Sequence, residues 1–214
     1  MKKFWTFGDS FCYENGGWDN RYFTWKGYVP KTHHDIISEN FNFKQINLSN
    51  PGDCNDTIFE NFMKNIKNIH QDDIIQFGWV ALERFRLATA NGKWSRIMPA
   101  VSFNYIEGID GKFENISQKT IEEILINRTN PIYRKELMNK IEFINSILPK
   151  NKIIHWTWSD SFERRRAYQT VKDETGGEIN DFHWSENGQK EFGKWIIEKI
   201  NDDILHYVDM NQII

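Results

Sequence analysis

Apolar residues fall along this chain in two rhythms that take turns. Compact runs at Lys3 to Phe7, Phe43 to Leu48, Ile74 to Trp79 and Ile153 to Trp158 end on turn residues, which predicts four strands. The third is apolar on both faces, as a central parallel strand should be. Between the runs the apolar positions recur every three to four residues. This spacing predicts a helix from near Pro30, a residue favoured at the first helical position, to about Glu39. It predicts a second, capped by Asn55 or Asp56, with Ile58, Phe62, Ile66 and Ile69 along one face. A helical region interrupted by Pro131 follows, with Leu137, Ile141, Ile144 and Leu148 on one face of its second part and Pro149 closing it. Ser185 caps a last helix that turns Phe192, Trp195, Ile196 and Ile200 inward.

Strands alternating with helices imply βαβ units and a parallel sheet covered on both faces. The expected architecture is one α/β domain spanning residues 1–214, a three-layer α/β/α sandwich around a mainly parallel, flavodoxin-like sheet. Residues 84–117 hold no sustained period and contain Gly92, Pro99, Gly108 and Gly111, so they read as an elaborated connection of the kind that serves function.

Composition narrows the function classes. With 27 Lys and Arg against 30 Asp and Glu, the formal charge is −3, which supplies no field to draw nucleic acid or an anionic membrane. No apolar run of membrane-spanning length is present, and no apolar signal region precedes the first strand, so the expectation is a cytoplasmic or virion-associated protein. The 9 Trp and 16 Phe could line a sugar-binding surface or fill the core, and composition leaves both open. Cys12 and Cys54 are too few for a disulfide framework, although Cys12 is also a potential nucleophile. His33-His34-Asp35 lacks a second ligand cluster and reads as a polar helix face, so no metal and no cofactor is expected.

In a parallel α/β sheet, functional groups gather where strands end and helix N-termini begin. That rule selects Gly8-Asp9-Ser10, Pro51-Gly52-Asp53, Gly78-Trp79 and Asp181-Phe182-His183. A hydroxyl, free backbone N–H groups and an imidazole beside a carboxylate are what acyl transfer needs.

FGDSF near the start, a glycine turn after the second strand and DFHWSENG entering the last helix together resemble the SGNH (GDSL) hydrolase superfamily, over nearly the whole chain in order and spacing. The resemblance implies Ser10 as nucleophile, His183 as general base and Asp181 as the carboxylate that orients it. The family often places this acid three residues before the histidine, where this chain has Asn180; relatives with D-x-H place it as here. The backbone N–H groups of Ser10 and Gly52 would form the oxyanion hole. The family's third block usually supplies an asparagine to that hole, but this chain reads Gly78-Trp79-Val80-Ala81, leaving Asn55, Trp79 or Arg84 to substitute. Trp79 and Arg84 are also the candidates for substrate contact. The implied function is a serine esterase acting on a small acyl ester, foremost an O-acetyl group on a carbohydrate. An O-acyltransferase and a catalytically weak carbohydrate-binding module are the alternatives.

Overall fold

A computed structural model of the chain describes residues 1–82, 84–88, 94–97, 123, 131–157 and 168–209. Five parallel strands form one sheet: β1 (Lys3–Phe7), β2 (Lys44–Asn47), β3 (Ile74–Trp79), β6 (Lys152–Thr157) and β7 (His206–Asp209). Their spatial order is β2-β1-β3-β6-β7, the flavodoxin-like arrangement. Phe4 pairs with Ile74 and with Gln45, and Phe77 pairs with His155, so β1 and β3 lie centrally. Between β3 and β6, inside the connection expected to be irregular, β4 (Phe85–Ala88) and β5 (Trp94–Ile97) form an antiparallel hairpin. The rest of that connection, and residues 158–167, lie outside the described residues.

Helices cover both faces of the sheet. On one side lie α2 (His33–Phe41) and α6 (Glu186–Asn201); on the other lie α3 (Asn55–Asn65) and α4 (Pro131–Ile147). Alternation along the strands divides the core accordingly. Phe7, Phe77 and Trp79 face α3, with Phe7 and Phe77 stacked at 5.2 Å and Phe62 set edge-on to Phe7 at 5.6 Å. Trp156 faces α6, where Phe192 packs at 4.6 Å from it and 4.5 Å from Trp184. Many of the aromatic residues are therefore core, each fully buried ring adding roughly 1.5–3 kcal/mol.

The helix ends depart from expectation in instructive ways. α2 starts at His33 because Thr32 and Asp35 form a reciprocal capping box, which turns His33 and His34 inward. Both imidazoles are fully buried, so this stretch is no polar face; His33 Nδ1 meets Gln189 Oε1 of α6 at 2.5 Å. α3 is preceded by Cys54, so Asn55 is its first residue and no cap. Pro131 opens α4, the second part of the expected helical region, and Ser185 caps α6 as expected, accepting from the Gly188 N–H. Missed from sequence are β7, the short α5 (Val171–Glu174) and α1 (Asn20–Lys26), the last capped by Asp19 and ended by Gly27.

Among the described residues no helix is long and apolar enough to cross a membrane.

Candidate active site

β1 ends at Phe7, and the chain turns at once into a single 3₁₀ turn, Ser10–Cys12. Asp9 caps it, its Oδ1 accepting the Phe11 N–H at 3.1 Å. Gly8 permits this fold-back: a Cβ there would meet Cys12 Sγ at 2.5 Å, because the thiol wedges against the strand end. The abrupt Gly-Asp-Ser stop thus tucks Cys12 under the sheet edge and leaves Ser10 partly exposed above it.

The late segment meets Ser10 there, 173 residues on. His183 Nε2 lies 2.9 Å from Ser10 Oγ, and His183 Nδ1 lies 2.7 Å from Asp181 Oδ1. A carboxylate only accepts, so Nδ1 carries the shared proton and Nε2 accepts from the serine hydroxyl. Asp181 also takes the His183 backbone N–H at 2.9 Å and the Asp19 N–H at 3.4 Å. Burial pushes this carboxyl up, but the hydrogen bonds and charge of His183 outweigh it, so it sits below the ordinary aspartate value. Asn180, the other position for the acid, is exposed.

Gly52 sits in the turn after β2. The Asp53 N–H closes this turn on Asn50 C=O at 3.2 Å, and Gly52 takes φ +77°, which a non-glycine residue resists. The Asn50 N–H bonds Gly8 C=O at 3.2 Å, bringing this turn against the end of β1. Among the described residues, neither the Ser10 N–H nor the Gly52 N–H has an acceptor.

Three further candidates have other duties. The Asn55 side chain pairs with the backbone of Val80, donating to its C=O at 2.9 Å and accepting its N–H at 2.8 Å. It braces the chain leaving β3, and the amide nitrogen that an oxyanion hole would use is engaged with the Val80 carbonyl. Trp79 is fully buried, its Nε1 donating to His155 Nδ1 at 3.1 Å, so it is a core residue and not a substrate contact. Arg84 turns inward as well and pairs with Asp9 Oδ2 at 2.7 Å. Cys12 is fully buried; burial and then the Asp9 charge push its thiol well above the ordinary value, which removes it as a nucleophile.

Sequence reasoning missed the segment that flanks the site. Trp18, Tyr22, Val171 and Ile179 form a small second cluster, and Trp18 Nε1 donates to Trp184 C=O at 2.6 Å. Lys26 bridges Glu174 at 2.7 Å and Glu186 at 3.0 Å. The α1 region is thereby clamped to the stretch carrying Asp181 and His183. Asp19, a capping residue two places before the charged and aromatic run Arg21–Lys26, was the available signal. Among the described residues no group of three or more His, Cys, Asp or Glu is arranged to hold a metal.

No protein-family model and no curated protein sequence matches the chain. Among solved structures the chain is similar to a lipase/acylhydrolase from Enterococcus faecalis. Identity is 16% over 94% of this chain and 95% of that one, with a TM-score of 0.38.

Proposed function

We propose that this chain is a serine hydrolase of small acyl esters, with an O-acetyl group on a carbohydrate as the foremost substrate class. The observation that carries the reading is the continuous hydrogen-bonded line Ser10–His183–Asp181, assembled from opposite ends of the chain at the carboxyl edge of the sheet. A serine and a histidine at 2.9 Å are within reach for proton transfer.

In this reading Ser10 Oγ attacks the ester carbonyl carbon while His183 Nε2 takes the hydroxyl proton. The C–O bond to the leaving alcohol breaks, and His183 returns the proton to it, leaving an acyl-serine. Water, activated by the same imidazole, then releases the acid and restores the serine. Asp181 stabilises the imidazolium in each half. The carbonyl oxygen, negative in each tetrahedral intermediate, is received by the N–H groups of Ser10 and Gly52, each such donor being worth about 100- to 1,000-fold in rate. The buried Asp9–Arg84 pair holds the turn that presents the Ser10 N–H.

A second reading, a carbohydrate-binding module with little turnover, is favoured by one observation. Val80 stands where the third block has its asparagine, and Asn55, an expected substitute, is engaged with the Val80 backbone. Transfer of the acyl group to a sugar hydroxyl uses the same half-reaction and differs only in the acceptor. The test is release of acetate from acetylated sugars and from 4-nitrophenyl acetate, with and without free sugar acceptors. Turnover lost in Ser10→Ala supports the hydrolase. Acetylated sugar product supports transfer. Sugar binding that survives Ser10→Ala, without turnover in the wild type, supports the module.

A further inference from the structure

Residues 13–19 follow the Ser10–Cys12 turn and curl back over the site. The Gly16 N–H bonds Tyr13 C=O at 2.8 Å, the Gly17 N–H bonds Asn15 Oδ1 at 3.0 Å, and the Trp18 N–H bonds Asn15 C=O at 3.4 Å. Gly17 adopts φ +74° at the crest of this curl. A Cβ at Gly17 would lie 2.5 Å from the carbonyl oxygen of Ser10, 2.7 Å from His183 Cδ2 and 2.8 Å from His183 Nε2. Real Cβ contacts do not come so close, and one of the three atoms is backbone. The main chain at Gly17 therefore lies directly against the ring nitrogen that faces the Ser10 hydroxyl.

The same curl reaches the rest of the line. The Asp19 N–H donates to Asp181 Oδ2, and Trp18 Nε1 donates to the carbonyl of Trp184, so contacts are made before and after His183 in the chain. The Phe11 ring adds a wall, its centroid 4.9 Å from that of the imidazole. His183 has its own side-chain bonds to Asp181 and Ser10, but bonds of that kind tolerate swings of the ring that a packed edge does not.

We propose that Gly17 is a positioning residue: its bare Cα forms the wall that holds the His183 imidazole on the line between Ser10 and Asp181. This deepens the hydrolase reading and rests on it for its catalytic consequence. A larger residue at 17 moves the ring off that line, and a displacement near 1 Å in a reacting group costs on the order of 100-fold in rate.

The experiment compares Gly17→Ala with Gly27→Ala. Gly27 has the same φ of +74°, but a Cβ there meets nothing within 4 Å, so it carries the backbone strain without the contact. The readouts are kcat and KM for 4-nitrophenyl acetate, and the far-downfield proton resonance of the imidazole N–H held by Asp181. For Gly17→Ala, kcat falls about 100-fold, KM changes by less than about threefold, and the resonance shifts or disappears. Gly27→Ala keeps both kcat and the resonance. Equal losses in the two variants, or a Gly17→Ala protein with near-normal kcat and an unmoved resonance, overturn the proposal.

Should Gly17→Ala fail to fold, Asn15→Ala releases the Gly17 amide without adding an atom at position 17. A lowered kcat with an altered resonance supports the proposal, and a protein with kcat and resonance both unchanged overturns it. A wild-type protein that hydrolyses no ester sinks the hydrolase reading alone, because the resonance still reports whether Gly17 sets the ring.

Discussion

Arg84 Nη1 sits 2.7 Å from Asp9 Oδ2, and the carboxylate it meets is fully buried one residue before Ser10. This pair ties the chain leaving β3 to the turn leaving β1, the two loops that part where the strand order switches. The Asp9 carboxylate serves two ends at once, since its other oxygen caps the Ser10–Cys12 turn.

Removing the arginine takes away the cation that meets this buried carboxylate at 2.7 Å. Breaking such a pair costs about 3–5 kcal/mol, and Arg84, being 11% exposed, belongs toward the low end. Arg84→Ala is expected to lower the unfolding free energy by about 3 kcal/mol in a urea melt and to reduce turnover with it. A change below about 1 kcal/mol would mean that other partners hold Asp9.

Asp181 and Asn180 compete, by position, for the role of third member. Only Asp181 touches the imidazole, at 2.7 Å, while Asn180 faces outward. Asp181→Asn keeps the shape but offers Nδ1 a group that favours the wrong tautomer, and kcat is expected to fall by up to about 10,000-fold. Asn180→Ala should stay within about threefold of wild type, surface changes away from such contacts being small. Steady-state kinetics of the two variants side by side make the check, and a reversed ranking would move the role to residue 180.

Acid should begin to weaken the fold above the pH range in which carboxylates titrate. His33 and His155 are fully buried, and burial, foremost among the causes, lowers their values to about 4 and about 3. Gln189 and Gln76 face His33, and Trp79 and Asn145 face His155, so neither has a carboxylate partner among these contacts. Both stay neutral in the fold and take up protons on unfolding once the pH drops below the free-imidazole value of about 6.5. The unfolded chain then binds more protons, so stability rises with pH through the window from about 4 to 6.5 and is level above it. Each imidazole contributes about 1.4 kcal/mol per pH unit in that window. Urea melts at pH 7.5, 6, 5 and 4.5 test this; a flat profile down to pH 4.5 would mean the imidazoles are not buried neutral.

Four strands of the sheet and the layered shape of the fold were legible because they depend on local pattern. Ile74 to Trp79 could hardly be anything but a buried strand, and Ser185 announces α6 by its capping chemistry. The meeting of Ser10 with His183 followed from the rule about strand ends. Orientation was not legible in the same way. Trp79 and Arg84 sit at the carboxyl edge of the sheet, yet alternation points the indole into the core, and a buried aspartate draws the guanidinium inward. His33 and His34 look polar as letters, but the Thr32–Asp35 capping box fixes the helix phase that buries them. Gly17 was silent because its role is the absence of a side chain, which becomes visible only once the imidazole stands beside it.

The central claim is that Ser10 is a nucleophile made reactive by His183. Labelling with a fluorophosphonate, read by intact mass, addresses it directly. The expected result is one adduct per chain on the wild-type protein, none on Ser10→Ala, and strongly slowed labelling of His183→Ala. A wild-type protein that takes up no label, or a Ser10→Ala protein that takes it up as fast as wild type, would contradict the account.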